Sequence, residues 1–145
     1  DKPVKQRSAK GAARTHILEV ADDLFYRTGI RAVGVDTIVA QSGVAKTTLY
    51  DHFASKDALI EAYLTGRDAY FWQEVEAALT RHPAAPRQQL VDLFEGFEAL
   101  IAGPDFVGCP FLSAAAEFPE LDQPGHRIAL GGRMVRTPEV SRDPR

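Results

Sequence analysis

The sequence predicts an all-α protein, and three observations carry that expectation. Apolar residues recur at helical spacing in segment after segment, and no run alternates with the period of two that marks a strand. Glycine and proline fall chiefly between those segments, where they stop helices and turn the chain. The 145 residues are 45% apolar and 26% charged, which fits a chain that buries a core and excludes wholesale disorder or a collagen-like repeat. A chain of this length can bury roughly 70% of its unfolded surface, so it needs no staple. Cys109 is the only cysteine, which excludes an internal disulfide and a multi-cysteine zinc site.

The first helix is expected from Thr15, where Ile17, Leu18, Ala21, Leu24 and Phe25 share a face, with Thr15 as N-cap and Gly29 as a left-handed stop. After the link Ile30 to Val35, Asp36 can cap a short second helix, Thr37 to Gln41, which Ser42 and Gly43 end. A third helix follows from about Ala45 to Phe53, with Leu49 and Phe53 on its buried side. Val44, Ile38 and Phe25 complete a small core with them. Two short helices meeting across a glycine turn follow the helix-turn-helix plan, in which the first braces the second against the major groove of DNA.

Ser55 caps a long fourth helix, helped by Asp57 in its first turn, where the helix dipole favours a negative charge. Leu59, Ile60, Tyr63, Leu64, Phe71, Val75, Ala78 and Leu79 carry it to His82, before Pro83 and Pro86. Its length of roughly 39 Å lets it leave one domain and enter the next. The fifth helix has the clearest pattern: Leu90, Leu93, Phe94, Phe97, Leu100 and Ile101, stopped by Gly103-Pro104. Phe106, Val107, Cys109, Phe111 and Leu112 then lead into an alanine-rich helix from Phe111 to Phe118. Beyond Pro119 and Pro124 only Arg127 to Leu130 reads as helical, and the double glycine, Pro138 and Pro144 make residues 125–145 irregular.

Charge is uneven. Residues 1–56 carry 9 basic and 6 acidic side chains, residues 57–122 carry 3 and 12, and residues 123–145 carry 5 and 2. Lys2, Lys5, Arg7, Lys10 and Arg14 face only Asp1 in the first fourteen residues, which fits either a polyanion-binding arm or a solvated terminus. No stretch is long and apolar enough for a membrane span, and the first 20 residues lack a signal-peptide core, so a cytoplasmic protein is expected.

The run from Ile38 to Leu59, Ile-Val-Ala-Gln-Ser-Gly-Val-Ala-Lys-Thr-Thr-Leu-Tyr-Asp-His-Phe-Ala-Ser-Lys-Asp-Ala-Leu, resembles the DNA-binding segment of the tetracycline-repressor (TetR) family. Ile38, Ala40, Gly43, Val44, Thr48, Leu49, Tyr50, Phe53, Lys56 and Leu59 stand in the family's order and spacing, and Ala21, Phe25 and Gly29 resemble its first helix. The resemblance covers about residues 14–65, and a shorter one at Gly108 to Pro119 points to the regulatory domain of one branch. It implies a homodimeric repressor of the cytoplasm that binds a palindromic operator in double-stranded DNA and is released by a small inducer. The basic arm and helix-turn-helix domain would occupy residues 1–54. A C-terminal helical ligand-binding and dimerisation domain would occupy residues 55–145, short because the residues after Gly125 can hardly supply the family's two long dimer helices. Truncation or frame shift, a different dimer surface, and a discontinuous sequence all stay open as explanations.

Residue by residue, the resemblance points Lys46, Thr47 and Thr48 at bases or phosphates and Tyr50 and His52 at the DNA backbone. Lys56 and Thr37, at the starts of the fourth and second helices, would meet phosphates. Asp51 departs from what a nucleic-acid face prefers. Aromatic side chains of the C-terminal part make any inducer apolar, with Phe71, Trp72, Phe94, Phe97 and Phe111 as its expected contacts and core packing as the competing role. The four histidines show no metal-ligand spacing, so no metal and no cofactor are expected. A helical scaffold or partner-binding module that does not touch DNA is the rival function. An enzyme is disfavoured, since there is no phosphate-binding glycine loop or nucleophile elbow, and Glu95 with Glu98 reads as a wet helix face.

Overall fold

The computed structural model of the chain describes residues 3–120 together with His126 and Arg127, with side chains from Gly11 onward. The expected irregular segment and most of the expected helix at Arg127 to Leu130 therefore lie outside the described residues. Six helices make up the fold, α1 (Pro3–Thr28), α2 (Val35–Ser42), α3 (Lys46–His52), α4 (Lys56–Arg81), α5 (Pro86–Ala102) and α6 (Pro110–Glu117), and there is no strand among the described residues.

Two helix starts differ from expectation. α1 begins at Pro3, not after Thr15, and the Thr15 hydroxyl donates to Gly11 O inside the helix at 3.1 Å. The reason is local propensity: Lys, Arg, Gln and Ala fill the extra turns, and Pro3 sits where its missing N–H costs no hydrogen bond. α2 starts two residues early, at Val35, with the extended backbone of Gly34 serving as N-cap without a side-chain bond. Asp36 consequently lies within the first turn, free to meet another element. Other boundaries fall where expected. Gly29 and Gly43 take positive φ (101° and 68°) and return their N–H groups to Phe25 O and Val39 O. Ser55 Oγ accepts from Ala58 N at 3.1 Å to cap α4.

One core joins α1, α2, α3, the first turns of α4, and α6. Ile17, Ile38, Leu49, Leu59 and Ala114 are wholly buried there, with Phe25 and Tyr63 tilted against each other at 5.6 Å between ring centroids. Burial raises the Tyr63 phenol far above its ordinary range. Phe111, Ala115 and Phe118 of α6 pack on this core from the C-terminal side. α4 then runs on, and α5 folds back along it as an antiparallel hairpin. Phe71 stacks on Phe97 at 5.9 Å, and Gln89 Nε2 donates to Leu79 O at 2.7 Å. At the bend Asp92 is buried, accepting from His82 Nδ1 at 2.7 Å and Gln88 Nε2 at 3.0 Å. Those bonds, Gln88 first, hold its carboxyl below the usual carboxylate range.

Candidate nucleic-acid interface

α3 is sided by its own sequence. Leu49 is wholly buried and Phe53, at the C-cap, nearly so, which pins one face to the core. Lys46, Thr47 and Tyr50 are exposed on the remaining surface, and Thr48 and His52 are half-buried beside them. Asp51, the residue that departs from a nucleic-acid face, is exposed as well. Tyr50 leaves 45% of its surface exposed on this face.

Neighbouring elements hold this helix in place. Lys46 Nζ lies 2.7 Å from Asp36 Oδ1, joining the start of α3 to the start of α2, and this hydrogen bond raises the ammonium above its ordinary value. Thr37 is exposed in the first turn of α2. His16 Nε2 meets Ser42 O at 3.0 Å, tying α1 to the turn between α2 and α3. The Arg14 guanidinium sits 4.8 Å over the Phe53 ring, joining α1 to the end of α3.

Lys56 is placed differently from the other expected DNA residues. Its Nζ donates to Ile30 O at 2.7 Å, half-buried near the Phe25 ring, and burial lowers its ammonium below the ordinary value. Of the expected inducer contacts, Phe71, Trp72, Phe94 and Phe97 form one chain of ring contacts 5.6–6.4 Å apart along the α4–α5 hairpin. Phe111 is not among them and packs against the buried core shared by α1 to α4. Among the described residues no three His, Cys, Asp or Glu side chains gather as a metal site would need. No described helix is long and apolar enough to cross a membrane.

Sequence reasoning missed the residues that fasten this head to the rest of the chain. Arg67 of α4 makes a two-point bond to Asp22 of α1 (2.8 and 2.5 Å) and lies 4.0 Å over the Tyr26 ring. The Tyr26 hydroxyl donates to Gly108 O at 3.0 Å and accepts from Val107 N at 3.2 Å, while Arg27 meets Asp105 at 2.6 Å. Glu117 accepts from the amides of Ile30 and Arg31. These pairings span 41 to 87 residues, so no local spacing signals them.

A short helix anchored by two side chains and braced across a glycine turn is the arrangement of a helix-turn-helix unit, with Lys46, Thr47 and Tyr50 exposed on its outer face. Residues 17–63 match the model for bacterial regulatory proteins of the tetR family. Over those residues the chain is similar to the regulators of that family. It is 36% identical over 64 residues to the HTH-type transcriptional repressor KstR2 of Rhodococcus jostii, covering 44% of this chain and 31% of that one. To the HTH-type transcriptional activator FasR of Mycolicibacterium smegmatis it is 29% identical over 139 residues, 93% of this chain and 53% of that one. The crystal structure of SCO4454, a TetR-family transcriptional regulator from Streptomyces coelicolor, superposes with a TM-score of 0.77 at 42% identity, covering 81% of this chain and 62% of that one. The matches thus span about a third of KstR2, half of FasR and three fifths of SCO4454. The relatives are transcriptional regulators, not enzymes.

Proposed function

We propose that this chain is a ligand-released repressor that reads a palindromic operator as a homodimer in the cytoplasm. The observation that carries the reading is α3, which Leu49 and Phe53 fix to the core while Lys46, Thr47 and Tyr50 stand exposed. Residues 1–54 form the reading unit and residues 55–145 the regulatory one, with α4 starting inside the reading unit's core. Lys46, Thr47 and Thr48 meet bases and phosphates at the N-terminal end of the recognition helix; Tyr50, His52 and Thr37 meet the backbone. Lys56 reaches a phosphate only by leaving Ile30 O. An apolar inducer sits among Phe71, Trp72, Phe94 and Phe97, whose rings already touch while Phe71 and Phe94 stay exposed.

Selection of tight-binding duplexes from a random DNA library, at two salt concentrations, tests the reading. A palindromic consensus whose two half-sites lie about one helical turn apart, with binding that weakens steeply as salt rises, is the expected outcome. A single half-site would contradict the dimer, and no enrichment at either salt would favour the scaffold reading.

A further inference from the structure

The turn after α1 is gripped from two sides. Gly29 takes φ 101°, and the next two amides point away from α1 with no helical acceptor of their own. Glu117, the last residue of α6, supplies both acceptors: Oε1 takes the Ile30 N–H at 2.9 Å and Oε2 the Arg31 N–H at 2.7 Å. Arg31 answers by donating from Nη1 to Glu117 O at 3.2 Å. From α4, Lys56 Nζ holds the carbonyl of the same residue, Ile30, at 2.7 Å. A carboxylate bound through both oxygens to successive amides fixes direction as well as distance. The fit is close, since a Cβ at position 29 would lie 3.2 Å from Glu117 Oε1.

We infer that Glu117, seconded by Lys56, is a positioning residue that sets the tilt of the reading head relative to α4 and so fixes the half-site spacing the dimer accepts. The turn it holds leads directly into α2, and α2 carries α3 through the Gly43 turn and the core that Ile38 and Leu49 share. Geometry makes such a grip consequential. A tilt of about 10° at a lever of ~17 Å, half the separation of two heads, displaces α3 by about 3 Å, close to one base-pair step. The inference rests on the dimeric operator reading above.

The full chain, as wild type, Glu117→Ala, Glu117→Gln and Gly29→Ala, would be titrated against the selected operator, against the same palindrome with its spacer changed by one base pair, and against a single half-site. Wild type should prefer the native spacer about tenfold or more, at about 1.4 kcal/mol per tenfold step. Glu117→Ala should cut that preference below threefold while half-site affinity stays within twofold. Glu117→Gln keeps one acceptor and should fall between them. Gly29→Ala drives a methyl at the carboxylate from the other side and should mimic Glu117→Ala. Undiminished spacing discrimination in a helical, folded Glu117→Ala would overturn the inference. So would a parallel loss on the single half-site, which would make Glu117 a prop for the head's own fold. Wild type that binds half-sites but never discriminates spacers would overturn the dimeric reading, and this inference with it.

Discussion

The reading head and the α4–α5 hairpin are built from equally regular helical patterns, yet they bury very different shares of their apolar residues. In the head, Ile17, Phe25, Ile38, Leu49, Leu59 and Tyr63 all lie within one core because four helices and α6 converge on it. Along the hairpin Ala78 and Asp92 are buried, whereas Leu90, Phe94 and Ile101 remain more than half exposed. A stripe on one helix tells which face seeks cover. Whether cover exists depends on how many elements meet there, and two helices leave an outer face open.

The largest effect should come from cutting the head's core. Leu49→Ala should cost about 2–5 kcal/mol in chemical denaturation, since it removes a wholly buried anchor of α3. The matching deletion in the hairpin, Phe94→Ala, should stay within about 0.5 kcal/mol because the ring is largely in solvent already. Equal costs would erase the contrast.

Second in size is the buried acceptor at the hairpin bend. Asp92→Ala strands His82 and Gln88 and should lower Tm by several degrees. Acid should act similarly. An unfolded Asp titrates at about 3.9, whereas the folded Asp92 carboxyl titrates lower. Its contribution is thus complete above the unfolded value and is lost as pH falls through the folded one. Asp92→Asn should flatten the acid limb of the stability profile, and an unchanged limb would count against this network.

A smaller loss, about 1 kcal/mol, is expected for Arg67→Ala, whose guanidinium joins Asp22 and Tyr26 in a partly exposed site. Lysine should not restore it, because a point charge cannot make the two-point bond or lie flat on the ring. Smallest is Asp36→Asn: the Asp36–Lys46 pair lies in solvent, so Tm should not move. DNA affinity should rise modestly instead, as a carboxylate leaves the face proposed to meet phosphates. A fall in affinity would show that Asp36 is needed to aim Lys46.

The same contrast governs what could be read in advance. The Gly29 and Gly43 turns, the Ser55 cap and the buried faces of α3 and early α4 follow from residues within a few positions of one another. So does the exposed set from Lys46 to Tyr50. The start of α1 was less legible because its extra turns rest on propensity alone, with no apolar stripe to mark them. Asp36 reads as a cap by type, but Gly34 already supplies the extended backbone there. Least legible were Glu117, Tyr26 and the Arg67–Asp22 pair. Their residue types are ordinary for a surface, and only the packing of α6 and α4 on α1 brings them to their partners.

The most direct test of the central claim, that the exposed face of α3 reads DNA, is a binding titration on the selected operator and a scrambled duplex of equal length. Wild type would be run beside Lys46→Ala and Tyr50→Phe. Wild type should prefer the operator by at least about a thousandfold. Lys46→Ala should lose about tenfold or more on the operator while its Tm is unchanged. Tyr50→Phe should lose a smaller factor. Equal affinity for operator and scrambled duplex, or variants indistinguishable from wild type, would contradict the assignment of α3 as the reading helix.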